Sequence, residues 1–186
     1  MTIIAETQRL LIRPWQPETD ANQALAIYGD RLVTHFIKTK ADSLEAQISI
    51  LKRWVEQAKQ LNNGTGLWPV RLKETDAIIG TVALIQLPIS SGKLTDTYEI
   101  GWHLKRAAWG QGYATEAAKG ILGYGFKQLR LPAIHAATHP HNLASIRVTQ
   151  RLNMQPLGRT NAYYDTELEL FKLEAIAWLC SRRFNP

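Results

Sequence analysis

The 186-residue chain predicts an α/β fold, and three observations carry that expectation. Stretches that alternate with period two are interleaved with stretches of helical spacing. Tyr98, Ile100, Trp102 and Leu104 would share one face of a strand with Glu99, Gly101 and His103 on the other, whereas Leu44, Ile48, Leu51, Trp54, Val55 and Ala58 follow the 3.6-residue period. The alternating stretch then runs through a glycine pair, Gly110 and Gly112, into a helical pattern of small apolar residues: Ala114, Ala117, Ala118, Ile121, Leu122 and Gly125.

In chain order, residues 9–15 (RLLIRPW) read as a first strand, stopped by Pro14 and Pro17. Ser, Thr and Asp capping signals open two helices, over about 18–28 and from Asp42 or Ser43 to about 61, and Asn62-Asn63-Gly64 ends the second. Residues 67–72 and 77–87 flank a Glu-Thr-Asp turn and predict a hairpin. Ser90-Ser91-Gly92 opens the loop into a strand at 97–105, and the central helix covers about 111–129. A short buried strand at 133–138, a helix at 143–152, strands at 155–160 and 167–172 and a closing helix near 174–183 complete the order β-αα-βββ-α-β-α-ββ. Neither a repeat nor a low-complexity linker interrupts it, so 1–186 reads as a single domain with a real core.

Composition narrows the function classes. Apolar (45%) and charged (20%) contents are ordinary for a globular protein, and no apolar run approaches the ~20 residues of a membrane span. The N-terminal MTIIAETQRLLIRPW lacks the charged-then-apolar order of a signal peptide, so a cytoplasmic location is the default expectation. The single cysteine, Cys180, excludes an internal disulfide and a cysteine zinc site, and it is expected to be buried in the last helix. The net charge of +6 is carried by residues 117–164, where Lys119, Lys127, Arg130, Arg147, Arg151 and Arg159 stand without an acid. This asymmetry suggests an anionic partner, or else a plain solvated basic face. No motif of a nucleic-acid module accompanies it.

Strand, glycine turn and helix together present free N–H groups at the positive end of a helix dipole, a ready phosphate site. Its owner can be narrowed. No Gly-x-x-x-x-Gly-Lys-Ser/Thr run is present, so a P-loop is excluded. A dinucleotide fingerprint fails twice: Thr115 stands at the third glycine, and residues 117–164 hold no acid for the ribose.

The string Trp109-Gly110-Gln111-Gly112-Tyr113-Ala114 resembles the Arg/Gln-x-x-Gly-x-Gly/Ala signature of the GNAT N-acetyltransferases, and WGQGYATEA is most similar to their RimJ/RimL-like branch, the ribosomal-protein N-terminal acetyltransferases. Trp109 departs from the signature's Arg or Gln, as that branch commonly does. Asn142-Leu143-Ala144-Ser145 is similar to the family's Asn-x-x-Ser element, and Asn153 replaces its helix-ending glycine, a substitution that a left-handed Asn tolerates. The opening TQRLLIRPW, the Ile79-Gly80-Thr81 step and the element order extend the resemblance over nearly the whole chain.

The resemblance implies a mixed sheet splayed at its centre, with acetyl-CoA wedged into the opening. It implies binding by Trp102, His103 and Leu104, by the loop residues Trp109, Gly110, Gln111, Gly112, Tyr113, Ala114 and Thr115, and by Asn142 and Ser145. Direct transfer to an amine needs a base, because only a neutral amine attacks, then donors for the tetrahedral oxyanion, then a donor for the departing thiolate. Backbone N–H groups around Trp102, His103 and Leu104 would serve the oxyanion, and Glu99 is the leading base, its alternative role being a solvated or ion-paired strand carboxylate. His103 has a suitable ordinary pKa, yet also reads as a satisfied, partly buried histidine.

Ser145 is the candidate thiolate-side donor, because Thr149 stands where many members keep a tyrosine; its other reading is a helix-start hydrogen bond to its own backbone. Asn142 reads as both helix cap and pantetheine contact. His135, His139 and His141 have no carboxylate near them in sequence, and the family needs no metal. No membrane or nucleic-acid partner is expected, and homodimers are common in the family. The acceptor is a protein N-terminal amine by resemblance to the branch, with a small amine or antibiotic as the alternative, and its selectivity would lie in residues 30–40 and 161–165. An acyl-CoA-binding protein without catalysis is the rival from another class.

Overall fold

The computed structural model describes residues 2–89 and 91–181, so Ser90 of the expected loop and residues 182–183 of the expected closing helix lie outside the described residues. The elements are β1 Ala5–Glu6, β2 Leu10–Ile12, α1 Pro17–Tyr28, α2 Leu44–Leu61, β3 Gly66–Leu72, β4 Ile78–Pro88, β5 Leu94–Leu104, a 3-10 turn Arg106–Ala108, α3 Tyr113–Lys127, β6 Ala133–Thr138, α4 Leu143–Arg151, β7 Gln155–Thr160, β8 Leu168–Glu174 and α5 Ala175–Ser181. Strands follow one another in the hydrogen-bonded order β1-β2-β3-β4-β5-β6-β8-β7. Antiparallel pairing dominates, but β5 meets β6 in parallel, with Glu99 opposite His135, so the sheet is mixed as expected.

Two compact units divide the chain, residues 1–83 with 102–121 and residues 84–101 with 122–186. In the first, α1 and α2 enclose Trp15, Ala24, Ile27, Tyr28, Leu51 and Trp54, and the Tyr28 and Trp54 rings meet edge-on at 5.3 Å. The expected first strand is shortened to three residues because Pro14 cannot donate to a ladder. Arg13 turns inward there and forms a fork with Asp20, at 2.6 and 2.7 Å, with both side chains about 95% buried. Asp20 also accepts the Gln16 N–H at 2.8 Å, so α1 begins behind Gln16 and Pro17 rather than at a Ser, Thr or Asp cap, which corrects that expectation. The second helix has the expected cap, Ser43, whose hydroxyl accepts the Ala46 N–H at 3.1 Å.

At Gly80 on β4 an added Cβ would collide with the Leu104 side chain and the His103 carbonyl, so only glycine lets β4 lie this close to the end of β5. The two-residue β1, paired with β2 through Ala5 opposite Ile12, is too short to show a period and was not expected from the sequence.

In the second unit Leu84, Phe126, Ile134, Phe171 and Trp178 are buried together with Ile100 and Leu122. Gly125 lets α3 settle on β6, because a Cβ there would stand 2.7 Å from Ile134. The expected left-handed residue after α4 is present, Asn153 at φ 55°. Strand β7 ends the sheet order, and its register on β8 shifts between Pro156 and Gly158, the latter at φ 89°. Cys180 is exposed, because Trp178 occupies the buried side of α5; this overturns the expectation of a buried thiol.

Candidate active site

Within the first unit β5 ends in Trp102, His103 and Leu104, and the 3-10 turn delivers the chain to Trp109. The Trp109 indole N–H donates to the Leu104 carbonyl at 2.7 Å, and the Gln111 amide donates to the Ala107 carbonyl at 2.7 Å, which ties the glycine loop to the strand before it. Gly110 and Gly112 hold φ of 74° and 81°, left-handed values that other residues reach only with strain. A Cβ at Gly110 would meet nothing within 4 Å, so the space above the loop is open. The first helical bond of α3 runs from the Glu116 N–H to the Gly112 carbonyl at 3.0 Å, which leaves the N–H groups of Tyr113, Ala114 and Thr115 for an outside acceptor. The Thr115 hydroxyl is buried without a partner among the described residues. The open space at Gly110 and the unpaired amides at the start of α3 fit a pyrophosphate.

A carboxylate in that first turn would repel an anion, and the fold cancels it. Glu116 accepts from the Thr7 hydroxyl at 2.6 Å, the Arg9 N–H at 2.8 Å and the Arg9 guanidinium at 2.6 Å. Burial alone would raise its pKa, but these hydrogen bonds outweigh that and hold it below the usual carboxylate range. The same guanidinium stacks 4.3 Å above the Tyr113 ring and donates to the Gln111 carbonyl at 3.2 Å. Neither Arg9 nor Thr7 was singled out as a site residue from the sequence, although both lie in the quoted TQRLLIRPW.

His103 is the satisfied histidine of the sequence reading. Its Nδ1 lies 3.1 Å from the Tyr28 hydroxyl, which in turn donates to the Thr81 hydroxyl at 2.8 Å. Burial pushes the imidazole down to about 4, so it is neutral near pH 7.

Glu99 belongs to the second unit and is 7% exposed. Tyr164, in the turn between β7 and β8, donates its phenol hydrogen to Glu99 Oε2, and the Ala137 N–H donates to the same carboxylate. Burial pushes Glu99 up to about 7, against the pull of those two donors. The carboxylate is therefore not a solvated one, and no ion pair among the described residues includes it. Tyr164 was named in the sequence reading only as part of the acceptor-side pair Tyr163-Tyr164.

On α4 the Asn142 side chain accepts the Ser145 N–H at 3.2 Å, so the cap role holds. Thr149 is fully buried and donates to the Ile146 carbonyl at 2.8 Å, which turns its hydroxyl back onto its own helix. The His139 and His141 rings lie 5.3 Å apart, and the described residues contain no group of three or more His, Cys, Asp or Glu able to hold a metal ion.

The acetyltransferase (GNAT) domain family matches residues 9–155. The uncharacterized N-acetyltransferase p20 of Bacillus licheniformis is 29% identical over 157 residues, spanning 84% of this chain and 85% of its own. The probable N-acetyltransferase YjcK of Bacillus subtilis is 30% identical over 152 residues, 80% of this chain and 82% of its own. Among solved structures, a GNAT-family acetyltransferase from Bacillus anthracis superposes with a TM-score of 0.77 at 23% identity, over 94% of this chain and 99% of that one. The ribosomal-protein-S5-alanine acetyltransferase of Vibrio fischeri gives 0.69 at 19% identity, over 96% and 99%; these two likenesses concern the fold alone. The family match runs through the glycine loop, the strand before it and the Asn142 helix, and on that ground the chain belongs to the GNAT family and is an N-acetyltransferase.

Proposed function

We propose that the enzyme transfers acetyl from acetyl-CoA directly to a primary amine, with a protein N-terminal amine as the acceptor and Glu99 as the base. The observation that carries this reading is the Glu99 carboxyl, buried and hydrogen-bonded by Tyr164 and Ala137, with burial pushing its pKa up to about 7. A base poised there is half-ionised at working pH and accepts the proton that the ammonium form of the acceptor must lose. The Gly110–Gly112 loop with the N–H groups of Tyr113, Ala114 and Thr115 supports the pyrophosphate, and backbone N–H groups around Trp102, His103 and Leu104 support the oxyanion.

As the amine nitrogen bonds to the thioester carbon, the carbon–sulfur bond breaks and the thiolate takes a proton. Thr149 is unsuited to that last task because its hydroxyl is committed to Ile146. Ser145, half-buried in the first turn of α4, is the donor we assign. No cysteine lies in either motif, which supports direct transfer over a thioester acyl-enzyme. The choice of acceptor follows the RimJ/RimL-like motif, and solved structures of similar fold include one named for ribosomal protein S5 alanine.

Thiol release from acetyl-CoA tests the reading, with peptides beginning in Ala, Ser or Met set against polyamines, free amino acids and aminoglycosides. Turnover of the peptides is expected. Turnover confined to a small amine would move the acceptor to that class, and tight acetyl-CoA binding without thiol release on any acceptor would overturn the catalytic proposal.

A further inference from the structure

Glu99 has a difficulty as a base: it is only 7% exposed, and Oε2 already receives a hydrogen bond. The Tyr164 phenol that supplies that bond is the more exposed partner, half-buried in the turn after β7. That turn is held in an unusual conformation. Tyr164 and Asp165 are consecutive non-glycine residues with left-handed φ, 59° and 54°, and Tyr163 is pinned to Ile89 by an isolated antiparallel bridge. Backbone of this kind persists where surrounding structure enforces it, and here it delivers one phenol to one carboxylate.

We propose that Tyr164 is the proton conduit between the acceptor amine and Glu99, and so a catalytic residue of the acetyl transfer. This rests on the reading of Glu99 as the base. In the step, the amine N–H proton passes to the phenol oxygen as the phenol hydrogen passes to Glu99 Oε2. One N–H and one O–H bond break, two O–H bonds form, and the nitrogen keeps the electron pair with which it attacks. The phenol is neutral before and after.

The surroundings suit that role. Burial foremost, then the Glu99 charge, raise the Tyr164 pKa, so the phenol holds its hydrogen at working pH. His135, opposite Glu99 on β6, is depressed by burial and stays neutral, and Lys172, opposite His135 on β8, is paired with Glu174 at 2.8 Å. Tyr163 and Asp165 flank the phenol on its own turn, and the charged residues of α4, Arg147 and Arg151, are exposed.

The test is the pH profile of kcat/KM from pH 6 to 9.5 for the wild type, Tyr164→Phe, Glu99→Gln and the double variant, with acetyl-CoA binding and Tm as folding controls. For Tyr164→Phe the high-pH plateau is expected to fall by about 10²–10³, with Glu99 in place. The double variant is expected to be no slower than the slower single one, because both act in one transfer. A Tyr164→Phe enzyme that keeps its plateau and only moves its acid limb upward would overturn the conduit and leave a residue that tunes Glu99. A Glu99→Gln enzyme of unchanged rate would instead overturn the base reading on which the conduit stands. Should the Phe variant fold poorly, a fluorinated tyrosine at position 164 keeps the shape and makes the phenol more acidic; a rate indifferent to that change would also reject the conduit.

Discussion

Glu99 and His103 lie on one strand and respond to burial in opposite senses. Burial raises the acid to about 7 and lowers the imidazole to about 4, so both favour the neutral form. For Glu99 the folded pKa lies above the unfolded one. Its contribution to stability is full below about 4.5 and is lost as pH rises through about 7, a change of about 3 kcal/mol. Glu99→Gln should therefore lower kcat/KM by about 10²–10⁴ while raising Tm relative to the wild type, by a margin that grows between pH 5 and 8. Parallel melting curves and rate profiles check both signs. His103 works the other way: its contribution is present above about 6.5 and lost as pH falls through about 4. For Ser145→Ala we expect a lower kcat with acetyl-CoA affinity nearly unchanged, and an affinity loss alone would reassign Ser145 to binding. Glu99, Ser145 and the loop glycines were singled out as candidates because each sits inside a local pattern. The phenol on Glu99 was not: Tyr164 lies 65 residues away in sequence, and no periodicity links a turn to a strand.

Among the elements, the start of α3 shows why TQRLLIRPW and GYATE occur in one chain. The Thr7 hydroxyl and the Arg9 guanidinium both donate to Glu116 in the first turn of α3, and Arg9 offsets its charge. Arg9→Met should raise the KM for acetyl-CoA about tenfold with little change in kcat, the size of one uncompensated charge at a helix N-terminus. Adding Glu116→Gln should recover much of that loss, and initial-rate kinetics on the three proteins decide it. The helix and strand assignments were legible to within a few residues because burial periods and turn residues agree; residues 133–138 and 155–160 match their strands at both ends. Failures occurred where a side chain overrode the local signal. Asp20 capped α1 from within the helix, and the link between Thr95 and the Leu87 carbonyl, at 2.7 Å, extended β5 back to Leu94.

At the scale of the whole molecule, the excess charge separates into groups with and without an ion pair among the described residues. Lys119, Lys127, Arg130, Arg147 and Arg151 are exposed, whereas Arg159 is held by Glu169 at 2.9 Å and Glu167 at 3.2 Å. Acetyl-CoA affinity should weaken several-fold as salt rises from about 0.05 to about 0.5 M, as expected of screened attraction. Arg159→Gln should leave that slope unchanged, since its charge is already compensated; titration calorimetry at three salt concentrations would show either result. Element order was readable along the chain, but strand order was not. A period of two tells which face a residue takes, never which strand lies beside it, and so the placement of β8 between β6 and β7 had no local signature.

That placement leaves β7 as a margin of the sheet, with backbone donors and acceptors that another chain could seize. Pro156 deletes one donor, and the register shift before Gly158 breaks the rhythm that a foreign strand would need to match. The irregularity on β7 thus makes this edge a poorer template for a foreign strand. A chain repaired to regularity, with Pro156 replaced by Thr and the extra residue removed, would pair more smoothly with β8 and more readily with copies of itself.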